Sequence, residues 1–221
     1  VIVMAGGLGK RMQSELPKVL HNLDNKPMLV RVLENSFLLN PKKILVVVGK
    51  YKDIISSTIK NYVSLENIEF INQPEAKGTG DAIKCCREEL LNYNDHNVLI
   101  LSGDVPFLNK KSILEMSKKI SAGADLVILG FESSEPKNYG RIIINNKNQI
   151  EGIIEEKDAN LAQKELTLCN SGIYYGKKSI IFSLLEEVRS DNAQLEFYLT
   201  DIIKLGSQKG LKVELCECGA D

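Results

Sequence analysis

No apolar run in this chain approaches the ~18 residues that cross a bilayer, so the sequence offers no membrane span. It also lacks the charged lead and apolar core of a secretory signal: Val1, Ile2 and Val3 open directly into an apolar run, without an initiating methionine. A soluble, cytoplasmic protein is the expectation. Neither sign of charge dominates. With 28 basic and 29 acidic residues, a net charge of -1 and a pI near 6.3, there is no basic stripe for a nucleic-acid backbone. There are only two histidines, and the five cysteines, Cys85, Cys86, Cys169, Cys216 and Cys218, form no C-x-x-C pair, so they read as reduced packing thiols. His21 reads as a residue that packs where its segment turns. No Pro/Gly/Ser-rich tract divides the chain. With 43% hydrophobic residues it can bury one sizeable core, and residues 1–221 are expected to form one domain, with a first half of about 1–125 and a second of about 126–221.

Against these absences stands the run VIVMAGGLGKRM, residues 1–12, followed by Pro17-Lys18-Val19-Leu20-His21. An apolar strand covered on both faces here meets a glycine-rich turn, Ala5, Gly6, Gly7 and Gly9, where backbone N–H groups can crowd around phosphate oxygens. Arg11 and Lys18 add cations. The dinucleotide pattern G-x-G-x-x-G fails for want of a third glycine, and the Walker pattern fails because Gly9-Lys10 is followed by Arg11, not by a hydroxyl. A nucleoside triphosphate cradle remains, beside the plainer reading of a tight strand-to-helix turn with solvated basic residues.

Apolar, β-rich runs at 44–48, 68–71, 98–101 and 126–131 alternate with helical periodicity at 28–38, 53–62, 81–91 and 110–120. This βαβ succession predicts an α/β fold, a Rossmann-like, open, mainly parallel sheet with helices on both faces. Its ligands would lie beyond the carboxyl ends of the strands. Runs at 141–145, 150–154 and 168–175 read as shorter strands of a smaller antiparallel part, followed by helices near 178–188 and 197–209. Gly103-Asp104 follows the strand at 98–101, on the same rim as the glycine turn. A lone carboxylate there suits Mg²⁺, which takes few protein oxygens plus phosphates and waters; the competing reading is a turn aspartate before Val105-Pro106.

AGGLGKRM, PKVLH and Asn25-Lys26-Pro27-Met28-Leu29, together with QPEAKGTGDA (73–82), LSGDVP (101–106), Tyr139-Gly140-Arg141, IEEKD (154–158), Asn170-Ser171-Gly172 and NAQLEFYLTD (192–201), resemble, in order, the signatures of sugar-phosphate nucleotidyltransferases. The likeness is to the branch that joins a uridylyl group to N-acetylglucosamine-1-phosphate. It implies UTP and that sugar phosphate as substrates, Mg²⁺ as cofactor, and direct in-line transfer with pyrophosphate leaving. It further implies Arg11 and Lys18 on the reacting phosphates, and Ala5, Gly6, Gly7, Gly9 and Gly103 along the nucleotide. Gln73, Gly78 and Thr79 would read uracil, and Asp104 would hold the metal. Gly140, Glu155, Asn170, Tyr198 and Thr200 would hold the sugar. Lys10 and Ala76 depart from the pattern, which usually has a small hydroxyl residue and a second glutamine there. The family's second metal ligand, an asparagine downstream of YLTD, falls beyond Asp221, and the chain contains none of the hexapeptide repeats that build the acetyltransferase of bifunctional members. Thymidylyl, cytidylyl or guanylyl transfer, or a catalytically silent sugar-nucleotide-binding subunit, stay open as alternatives, as does homo-oligomerisation.

Overall fold

The computed structural model describes residues 1–7, 14–93 and 96–218. Leu8 to Gln13 lie outside the described residues, and with them the expectations placed on Gly9, Lys10 and Arg11. Strands β1 (Ile2–Met4), β4 (Ile44–Val48), β5 (Ile68–Asn72) and β6 (Asn97–Ser102) pair in parallel in the order β6-β1-β4-β5. Before β4, β2 (Asn22–Leu23) and β3 (Lys26–Pro27) form a two-stranded hairpin. Its turn residues Asp24 and Asn25 have φ of 48° and 62°, the left-handed pair of a two-residue hairpin turn that Asn and Asp tolerate better than most residues.

The helices are α1 (Met28–Phe37), α2 (Lys52–Ile59), α3 (Thr79–Lys84), α4 (Lys110–Ser121), α5 (Leu161–Lys164), α6 (Lys178–Leu185) and α7 (Asp201–Gln208). They cover both faces of the sheet, as expected. Strand β4, ILVVV, is buried throughout and divides its side chains by the two-residue period of a strand. Ile44, Val46 and Val48 enter a core with Leu29, Val32 and Leu33 of α1, Ile55 and Ile59 of α2, and Ile113 and Met116 of α4. Leu45 and Val47 enter a second core with Ile83 of α3, Ile181 and Leu185 of α6, and Ile202 and Ile203 of α7.

The second half supplies β7 (Leu126–Glu132), β8 (Arg141–Ile144), β9 (Ile150–Ile154), β10 (Leu168–Lys177) and β11 (Val213–Glu217). The expected smaller antiparallel part is present and joins the main sheet. Strand β10 inserts antiparallel between β6 and β7, and the β8–β9 hairpin hangs from β10 within the same nine-stranded sheet. Reversal of β10 is what brings its first residues to the rim where the parallel strands end.

Two boundaries and one strand differ from the sequence expectation. The helix expected over 81–91 ends at Lys84, since the backbone beyond it tightens to i to i+3 bonds (Cys86 N to Ile83 O, Arg87 N to Lys84 O) and continues as a 3₁₀ turn at Glu88–Leu90. The helix expected from 197 starts at Asp201, because the backbone at 197 and 199 bonds instead to the loop before α3. Strand β11, with only a half-buried VELCE pattern, carried no clear periodic signal. No helix among the described residues is long and apolar enough to cross a membrane.

Candidate functional site

Four neighbouring strand ends bring the motif residues together. Backbone bonds from Ala5 N to Val47 O (2.8 Å), Gln73 N to Val48 O (2.7 Å) and Gly103 N to Met4 O (2.9 Å) extend the sheet pairing by one residue and hold the loops in register. A Cβ placed on Gly6 would lie 3.4 Å from Gln73 Oε1 and 3.5 Å from Gly49 N, whereas one on Gly7 would meet nothing within 4 Å among the described residues. Gly6 therefore packs between two loops. Gly49, which the sequence reading passed over, is part of this floor; its signal was a glycine immediately after an apolar strand, the same pattern as in the first turn. Gly103 has a different reason to be glycine: a Cβ there would come within 2.9 Å of Met4 O and 3.2 Å of Val19, so its place is close packing against β1.

Lys18 stands at the start of a 3₁₀ turn, Lys18–Leu20, anchored by the buried Val19 and Leu20. Its Nζ bonds Asp104 Oδ2 at 2.5 Å, across 86 residues of sequence. Ser102 Oγ donates to Asp104 Oδ1 at 2.6 Å, a contact that sequence reasoning missed. Burial pulls the Asp104 carboxyl upward, but the bonds from Lys18 and Ser102 outweigh it and hold the group below the usual carboxylate range. The ring nitrogen Nε2 of His21 is buried with no hydrogen-bond partner among the described residues, while its backbone carbonyl accepts from Met28 N. The five cysteines are free thiols, with Cys86, Cys169 and Cys216 buried.

The loop from Gln73 to α3 is clasped by a distant segment. Phe197 N donates to Lys77 O (2.8 Å), Gly80 N to Phe197 O (2.7 Å), and Leu199 N to the Thr79 hydroxyl (2.9 Å). Gly78 has φ of 114°, and a Cβ there would sit 2.5 Å from Phe197 O, so the backbone conformation and the clasp both demand glycine. Thr79 thus accepts a bond that ties the loop to residues 197–199.

The candidate sugar residues form a second cluster at the edge of the same rim. In β10 two residues between Asn170 and Ile173 are extra relative to β7. At this bulge Asn170 Oδ1 accepts from Gly172 N (3.1 Å), and Asn170 Nδ2 donates to the buried Tyr174 hydroxyl (2.8 Å). Asn170 N bonds Gly140 O, a Cβ on Gly140 would lie 3.6 Å from Glu155 Oε1, and the Thr200 hydroxyl donates to Glu155 Oε1 at 3.1 Å. Burial raises the Glu155 carboxyl, opposed by the Thr200 bond and aided by Asp158, Asp201 and Glu196. Tyr198 is buried, its hydroxyl has no hydrogen-bond partner among the described residues, and burial with the carboxylates of Asp158 and Glu155 pushes that hydroxyl up. The fully buried Arg141 supports the cluster: it donates to the carbonyls of Tyr139, Lys164 and Leu166 and pairs with Glu156. Leu195, exposed and at φ of 54°, is a strained position in the loop that precedes Phe197.

A cavity of about 480 Å³ opens at the opposite ends of the strands, walled by residues that include Val1, Lys42, Lys43, His96, Lys110 and Lys178. None of the motif residues gathered at the rim lines it, so the rim is the candidate site.

Known proteins carry the same plan. The chain is 43% identical over 206 residues to the "Probable UDP-N-acetylglucosamine pyrophosphorylase" of Acanthamoeba polyphaga mimivirus, covering 93% of this chain and 80% of that one. It is 36% identical over 218 residues to the "Bifunctional protein GlmU" of Ruegeria sp. (strain TM1040), covering 99% of this chain and 47% of that protein, so it spans about half the length of this relative. The solved UDP-glucose pyrophosphorylase complexed with UDP-glucose shares the fold, with a TM-score of 0.76 at 18% identity over 94% of this chain and 86% of that one. Residues 1–219 match the family described as Nucleotidyl transferase, the fold and the collinear motifs agree with it, and the chain belongs to that family.

Proposed function

We propose that this chain transfers UMP from UTP to N-acetylglucosamine-1-phosphate, releasing pyrophosphate and forming UDP-N-acetylglucosamine. The observation that carries the reading is the clasp. The loop expected to read the base and the segment bearing Tyr198 and Thr200 are bonded into one unit, on the same rim of the sheet as the Lys18–Asp104 pair. The name of the mimiviral relative, which specifies UDP-N-acetylglucosamine, favours the uridylyl and N-acetylglucosamine assignment over thymidylyl, cytidylyl or guanylyl transfer.

In this reading a phosphate oxygen of the sugar phosphate attacks the α-phosphorus of UTP as the bond to the bridging oxygen of pyrophosphate breaks. The nucleophile is already an anion, so no general base is required; the protein's task is alignment and neutralisation of charge. Lys18, paired with Asp104, would bridge the two reacting phosphates. Arg11, carried by the sequence motif alone, would neutralise the triphosphate. Backbone N–H groups around Gly6 and Gly7 would lie along the phosphates. Glu155, Asn170, Gly140 and Thr200 would orient the sugar, and the Tyr198 hydroxyl would find a partner there.

The donor set at Asp104 fits Mg²⁺. It is a single carboxylate, held in its charged form, with hard oxygens on a side chain that is only partly buried, while no cluster of three or more His, Cys, Asp or Glu among the described residues offers an all-protein cage. When bound, Mg²⁺ would supply charge stabilisation to the pyrophosphate. The experiment is pyrophosphate release by the purified chain from UTP and N-acetylglucosamine-1-phosphate, with glucose-1-phosphate and the other nucleoside triphosphates as competitors. Nucleotide binding without pyrophosphate release would instead identify a silent binding subunit.

A further inference from the structure

Gln73 is 9% exposed, and its amide nitrogen donates twice: to Gly78 O at 3.1 Å and to Asp81 Oδ2 at 2.8 Å. A carboxamide nitrogen carries two hydrogens, so both are used inside the protein. A backbone carbonyl and a carboxylate can only accept. Turning the amide by half a circle would set its oxygen against two other oxygens, so the chemistry of its neighbours decides its orientation. What the side chain has left is Oε1, and that atom faces the glycine turn, 3.4 Å from where a Cβ on Gly6 would stand.

We propose that Asp81 is a positioning residue for base selection. By holding the amide nitrogen of Gln73, it leaves that side chain an acceptor only, so the site selects a base edge that presents an N–H, the imide of uracil or thymine, over cytosine. Cytosine carries a lone pair at N3, which would face Oε1. The inference rests on the uridylyl-transfer reading and narrows it: Gln73 accepts from the base and does not donate to it. The placement follows from the fold. Asp81 is the third residue of α3, in the turn that faces back toward the end of β5 where Gln73 sits.

The test compares equilibrium affinities for UTP and CTP, each measured on one preparation of the whole chain, for the unmodified protein and for Asp81→Asn, Asp81→Ala and Gln73→Ala. A ratio of affinities is insensitive to the fraction of protein that folds, so simple destabilisation does not move it. Asparagine offers a donor as well as an acceptor and alanine offers neither, so in both Asp81 variants only the Gly78 carbonyl still holds the amide of Gln73 against turning. The UTP-over-CTP preference should fall about tenfold in each, and by at least as much in Gln73→Ala. An unchanged ratio in both Asp81 variants, with a reduced one in Gln73→Ala, would overturn the role of Asp81. An unchanged ratio in all three would overturn Gln73 as the reader of the base. If the unmodified chain binds UTP but releases no pyrophosphate with the sugar phosphate, the functional reading fails separately, while the affinity ratio still decides the role of Asp81.

Discussion

The glycine-turn side of the rim and the Glu155 side are built on opposite principles. On the first, most candidate residues follow directly from the end of a parallel strand: Ala5 after β1, Gln73 after β5, Gly103 and Asp104 after β6. Pairing of buried strands β6-β1-β4-β5 then sets the loops side by side almost automatically. On the second, Gly140, Glu155, Asn170, Tyr198 and Thr200 come from a hairpin, a bulge and an irregular segment, and they meet only because β10 runs backward through the sheet. A site at strand ends inherits its precision from the core. One assembled from loops needs dedicated fasteners, here Arg141, the Asn170 bulge and the clasp at Phe197.

If the strand-end side carries the charge chemistry, its cations should be the costliest residues to lose. Lys18→Ala and Arg11→Ala should each lower turnover by ~10²-fold or more with the fold intact, since lost stabilisation of developing charge is worth a few kcal/mol. Turnover equal to that of the unmodified chain would remove those roles. Asp104→Asn should come next. It should raise the Mg²⁺ concentration for half-maximal rate by about tenfold or more, because one charged oxygen ligand is lost. Pyrophosphate release that survives EDTA would sink the metal assignment.

The loop-built side should respond differently. Glu155→Ala should weaken binding of N-acetylglucosamine-1-phosphate by ~1 to 3 kcal/mol, by leaving a sugar hydroxyl unpaired, while UTP affinity stays nearly constant. Equal loss for both substrates would show that the two sides do not divide the labour as their construction suggests. The mildest change tests the electrostatics within the strand-end side. Asp104 is held below its ordinary pKa in part by Ser102, against the upward pull of burial. An acid whose folded pKa is depressed contributes stability above its unfolded value and loses it as pH falls through the folded one. Removing Ser102 lifts that folded value. In Ser102→Ala the acidic limb of the pH–rate profile, and the acid loss of stability, should therefore move to higher pH by less than about one unit. An acidic limb that stays in place would mean that Asp104 does not govern it.

The division between the two sides also explains what could be read in advance. Apolar runs with a period of two or 3.6 determined β1, β4, β5, β6 and β7 and helices α1, α2 and α4 to within a few residues, because burial on both faces of a parallel sheet leaves an unambiguous hydrophobic record. The glycine turn, Lys18, Gln73 and Asp104 were legible for the same reason, each lying close to the end of such a run or within a compact motif. Tertiary structure alone decided the rest. It set the reversal of β10, the late start of α7, the bond from Ser102 to Asp104 and the hold of Asp81 on Gln73. It also decided that the Thr79 hydroxyl is engaged by Leu199. These depend on contacts between residues two to 120 positions apart, made by polar atoms whose partners no periodicity encodes. The physical reason is that hydrophobic burial is written along the chain residue by residue, whereas a directed hydrogen bond exists only once the fold has set donor and acceptor about 3 Å apart.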